Sequence, residues 1–90
     1  MELNQLRQQI DQVDEQLVAL FVQRMALSAQ VAAYKKERNL PILVPQREHE
    51  KLESVAAMAG ELGDYARSLY EAIMALSREY QAERNGEKTV

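Results

Sequence analysis

From Leu3 to Lys36 the chain runs without a glycine or a proline, and apolar residues return at Leu3, Leu6, Ile10, Val13, Leu17, Leu20, Leu27, Val31 and Tyr34. Alternating steps of three and four residues mark the a and d positions of a heptad, so the stretch reads as one helix carrying a single apolar seam. At 1.5 Å per residue, a helix of about 34 residues is roughly 50 Å long. The whole chain has only 90 residues. A compact monomer of that size has a radius of gyration of about 12 Å, so the helix overruns its own globule and leaves the seam bare. A second copy lying antiparallel alongside would cover it, which makes an intertwined homodimer the expected state. The alternative is a break near Ala32-Ala33 that folds the helix back into a monomeric bundle, although breaks without glycine or proline are rare.

The segment Asn39-Leu40-Pro41-Ile42-Leu43-Val44-Pro45 stops this helix, because each proline disfavours helix in the residue before it and cannot donate a backbone hydrogen bond. Pro45 suits the first position of a second helix, predicted from about Pro45 to Ala59 with Glu48, Leu52, Val55 and Ala59 on one face and Gly60 as its stop. Gly63-Asp64 reads as a turn and N-cap, followed by a third helix with Leu69, Ile73, Leu76 and Tyr80 at helical spacing, fading near Asn85-Gly86. The expected fold is therefore all-α. Three helices, one very long, one short and one medium, form an intertwined antiparallel homodimeric bundle over residues 1–84, and residues 85–90 form a polar, disordered tail. No repeat is visible.

Composition narrows the function. The absence of cysteine excludes disulfides, thiolate metal sites and a cysteine nucleophile. A net charge of −3 disfavours nucleic acid as the main partner, since phosphate backbones call for a broad basic surface. No signal pattern is seen and no apolar run is read as approaching the roughly 20 residues that cross a bilayer, so a cytoplasmic protein without membrane contact is expected. His49 has no metal-ligand companions, and Asp11, Asp14 and Glu15 read as the solvated flank of a long helix. Neither a metal nor a cofactor is expected.

Polar residues interrupt the apolar pattern in an ordered way. Arg24 occupies a seam position, where an unpaired buried guanidinium costs several kcal/mol, so it should meet a carboxylate or a bound anion. Lys35, 11 residues on, points within about 20° of the same direction. Arg7 lies roughly 25 Å from Arg24 along one helix, too far to serve the same space in cis, yet an antiparallel partner would bring it there. Arg47 and Glu48 open the second helix, and Ser77 and Gln81 share a face of the third at i,i+4. Each also has a reading without chemistry. Arg7 and Lys35 suit solvated heptad flanks, Glu48 suits a helix N-terminus, and Ser77 and Gln81 suit an ordinary surface.

The ordered set Leu6-Arg7-x-x-Ile10-Asp11-x-x-Asp14-x-x-Leu17, Gln23-Arg24, Lys35, Arg47-Glu48 and Ser77-x-x-x-Gln81 resembles the all-α (AroQ) class of chorismate mutases from about residue 3 to residue 82. The resemblance implies the intramolecular [3,3] rearrangement of chorismate to prephenate, on the route to phenylalanine and tyrosine, without a cofactor. It implies that Arg24, with Arg7 from the partner chain, pairs with the two substrate carboxylates, while Lys35 and Gln81 donate to the ether oxygen. Arg47 and Ser77 would support carboxylate binding, and Glu48 would accept from the ring hydroxyl. Val44 departs from the pattern, standing where some members carry an acid near that hydroxyl, and a loop N–H would have to replace the contact. Because Gln81 is an amide, which donates without first being protonated, the resemblance also implies activity with little pH dependence near neutrality.

Two other readings stand beside this one. An isochorismate pyruvate lyase would share the fold and much of the cationic pocket, with Glu48 favouring the mutase. A non-catalytic helical dimerisation or regulatory module would not need Arg24 or Lys35.

Overall fold

The computed structural model describes residues 2–86, and among the described residues it contains helices and no strand. Helix α1 spans Leu3–Glu37, α2 spans Pro45–Met58, a short 3-10 helix covers Gly60–Leu62, and α3 spans Gly63–Arg84. The three predicted helices are all present, with α1 ending one residue later than expected and α2 one earlier. Residues 87–90 of the expected tail lie outside the described residues. Asn85, where that tail was expected to begin, is buried and caps α3.

Local chemistry accounts for each boundary. At the start of α1 the Glu2 N–H donates to Gln5 Oε1 at 3.2 Å, which closes the first turn. At its end Asn39 takes a left-handed φ of 55°, tolerable for asparagine, while the Asn39 N–H donates to Lys36 O and the Leu40 N–H to Lys35 O. That pair of bonds is a Schellman closure, and Pro41 follows it. The helix continues unbroken through Ala32-Ala33, which removes the fold-back alternative. Pro45 occupies the first turn of α2, and Gly60, at φ 58°, ends that segment.

Gly63 corrects the sequence reading. Instead of forming a turn before an Asp64 N-cap, it is the first residue of α3, with Leu62 as the cap and a helical φ of −56°. Its need for glycine is one of space: a Cβ there would sit 2.7 Å from the Ala56 carbonyl oxygen of α2. On α3, Met74, Ser77 and Gln81 are buried, whereas Leu69 and Leu76 remain about half exposed.

Helix α3 packs against both α1 and α2, and among the described residues Ala32, Val55 and Met74 are the buried apolar ones. Three such side chains make a meagre core. Asn85 ties the base of the assembly, its Nδ2 donating to Ala32 O at 3.0 Å while Lys36 Nζ donates to Asn85 O at 2.9 Å. The molecule measures 54 × 24 × 23 Å with a radius of gyration of 16.1 Å, well beyond the compact value of about 12 Å.

The excess length is α1. Every apolar seam residue from Leu3 to Tyr34 is between 41% and 61% exposed. The helix also holds an 18-residue window with mean hydropathy 1.3, so by length and composition it is apolar enough to cross a membrane, contrary to the expectation that no run comes close. Core helices covered by other protein can be as apolar.

Candidate active site

The second half of α1, the loop before α2, the first turns of α2 and the last turns of α3 enclose one cavity of about 350 Å³. Arg24, Leu27, Ser28, Val31 and Lys35 come from α1, and Ile42 and Val44 from the loop. Arg47, Glu48 and Lys51 come from α2, and Met74, Ser77, Arg78 and Gln81 from α3. Helical periodicity explains the selection: 24, 28, 31 and 35 form one stripe, as do 74, 77, 78 and 81. Seven of the eight residues singled out in the sequence, Arg24, Lys35, Val44, Arg47, Glu48, Ser77 and Gln81, line this space. Arg7 does not. It is exposed near the far end of α1, as the straight helix requires.

Electrostatically the lining is one-sided. Five cations surround the cavity, and Glu48 is the one acidic side chain in its wall. Arg78 Nη1 donates to both Glu48 oxygens, so that charge is already paired across α2 and α3. Lys35 Nζ donates to Ile42 O at 2.8 Å, fixing the loop against α1. The Arg24 guanidinium carbon lies 5.7 Å from the centre of the Tyr70 ring, a cation–π contact that braces the side chain without neutralising it. Among the described residues, Arg24, Lys35, Arg47 and Lys51 have no carboxylate partner. Cations left unanswered in a concave, partly apolar space suit a small organic anion.

Deeper in the wall, Ser28 Oγ and Ser77 Oγ are 2.7 Å apart and Gln81 Nε2 donates to Ser77 Oγ at 3.2 Å. All three side chains are buried, and Gln81 Oε1 has no hydrogen-bond partner. Among the described residues no group of three histidine, cysteine or acidic side chains converges as a metal site.

Three polar lining residues, Ser28, Lys51 and Arg78, escaped the sequence reading although a signal existed for two of them. Ser28 lies one turn beyond Arg24 and two turns before Lys35, on the face already identified. Lys51 follows Arg47 at i+4. Arg78, by contrast, is recognised only through Glu48, 30 residues away in sequence.

Comparison with known proteins finds relatives along most of the chain. The family model for chorismate mutase type II matches residues 6–82. Among curated relatives, a bifunctional chorismate mutase/prephenate dehydratase from Aquifex aeolicus is 38% identical over 61 residues, covering 68% of this chain and 17% of the relative. A T-protein from Haemophilus influenzae is 34% identical over 90 residues, covering 98% of this chain and 24% of the relative. A T-protein from Enterobacter agglomerans is 45% identical over 62 residues, covering 69% and 17% respectively. The chain thus spans a quarter or less of the length of these relatives. No solved structure matches significantly. With a match that runs from the seam of α1 to the last turns of α3, and so takes in every lining residue of the cavity, the chain belongs to the chorismate mutase type II family.

Proposed function

We propose that the chain catalyses the rearrangement of chorismate to prephenate in the cytoplasm, as an antiparallel homodimer with two shared sites. The observation that carries this reading is the cavity itself, in which Arg24, Lys35 and Arg47 converge with no carboxylate of their own to answer them. A doubly charged ring acid supplies what they lack. The seam left bare along α1 supports the dimer, and an antiparallel copy would bring Arg7 of the partner subunit toward the open end of the cavity.

The rearrangement breaks a C–O bond and forms a C–C bond within one molecule, and it requires neither a nucleophile nor a proton transfer. Catalysis then consists of holding a flexible dianion in the compact reactive shape and stabilising the charge that grows on the departing ether oxygen. In this reading Arg24 and Arg7 of the partner subunit hold the carboxylates, with Arg47 and Ser77 in support. Lys35 and Gln81 donate to the ether oxygen, where charge is larger in the transition state than in the substrate, so their contribution falls on the rate more than on affinity. Glu48, held by Arg78, accepts from the ring hydroxyl, and a loop N–H near Val44 serves the same group.

Incubation of the purified chain with chorismate and, separately, isochorismate tests the reading. Prephenate from chorismate is the expected product, salicylate from isochorismate would transfer the site to a lyase, and no turnover of either would point to an interaction module. Arg24→Ala should lower turnover by about 10²-fold or more while leaving the helical circular dichroism unchanged.

A further inference from the structure

The cavity wall contains a buried relay that links α1 to the Gln81 amide. Ser28 Oγ and Ser77 Oγ lie 2.7 Å apart, and Ser77 Oγ lies 3.2 Å from Gln81 Nε2. Each of the three residues is less than a tenth exposed. As it stands the amide spends one N–H on Ser77 and leaves Oε1 buried and unpaired, an expense that folded proteins rarely carry.

A half turn about the last side-chain bond of Gln81, a torsion with a broad two-fold profile, gives Oε1 a partner and puts the two N–H donors where Oε1 stood, so that they await an acceptor bound in the cavity. Oε1 then accepts from Ser77 O–H, and the amide N–H groups are released from the serine. Ser77 has one proton to give. If that proton goes to Ser28, nothing is left for Oε1, so the turned amide is satisfied only when Ser28 donates to Ser77 and Ser77 donates to Gln81. Donors aligned in one direction also polarise one another, which strengthens the final N–H groups.

We infer that Ser28 is a positioning residue, whose hydroxyl sets the direction of the Ser28–Ser77–Gln81 relay and thereby turns the Gln81 amide to present its N–H groups to an acceptor in the cavity. This rests on the reading of Gln81 as a donor to the ether oxygen. Ser28 touches no reacting atom. Its removal leaves Ser77 without the donor that holds the relay in one direction, so Ser77 and Gln81 pair in either sense, which lowers the rate without emptying the site.

The test is a double-mutant cycle on chorismate turnover with Ser28→Ala, Gln81→Ala and the double variant. Ser28→Ala should lower kcat about 10-fold, less than the ~10²-fold typical of losing a donor outright, with KM changed by less than about 2-fold. In the Gln81→Ala background the same change should have no further effect. An unchanged kcat, or an equal loss in both backgrounds, overturns the proposal, because a merely structural serine would act additively. The Gln81 side-chain amide resonances, identified by their disappearance in Gln81→Ala, give a readout free of turnover. They should shift in Ser28→Ala, and if they do not move the relay is refuted. A wild type that converts no chorismate overturns the activity reading instead, with the resonances still deciding the relay.

Discussion

Arg78 and Glu48 show how one side chain decides what another can do. Glu48 is the lone acid in a cationic wall, and left to itself its carboxylate would swing toward Arg47 or Lys51, both of which share the cavity. Arg78 holds both oxygens from the opposite helix and so fixes where the remaining lone pairs point. Arg78→Met should therefore raise KM for chorismate about 10-fold with a smaller effect on kcat, checked by steady-state kinetics, and Arg78→Lys should recover part of the loss. An unchanged KM would detach Glu48 from substrate binding. The pairs Arg24 with Lys35 and Ser77 with Gln81 were legible because helical spacing alone puts each on a common face. The Arg78 pairing was not, since it depends on how α2 and α3 are set against each other.

Among the elements, α2 and α3 approach closely at one point, and Gly63 marks it. The expected effect of Gly63→Ala is a loss of about 1–3 kcal/mol in urea unfolding, because the new methyl would meet the Ala56 carbonyl oxygen at 2.7 Å and force the helices apart. An Asp64→Ala change, which would be harmful if Asp64 were the N-cap, should cost less than Gly63→Ala. The lengths and order of the helices were readable from periodicity and from the two prolines. The facing of α3 was not, because within one chain Leu69 and Leu76 stay about half exposed while the polar pair Ser77 and Gln81 goes inward. Sequence pattern identifies an apolar stripe but does not say which neighbour covers it. The role of Gly63 was hidden for the same reason: a close approach between helices is a property of the pair.

At the scale of the molecule, the proposed site is complete only if two copies contribute. Arg7→Ala and Arg24→Ala would each disable both sites of a homodimer, yet a mixed dimer would contain one pocket with its own Arg24 and an intact Arg7 from the other subunit. Mixing the two inactive variants in equal amounts under exchanging conditions should restore about one quarter of wild-type turnover, because half of the dimers are mixed and each has one sound site. No recovery would refute the shared site. In the proposed dimer, a seam covered by the other copy also makes cohesion a second-order affair. The melting midpoint should fall on dilution, and turnover per polypeptide should fall with it below the dissociation constant. A melting curve indifferent to about a hundredfold change in protein concentration would mean that the long edge of α1 is shielded in some other way.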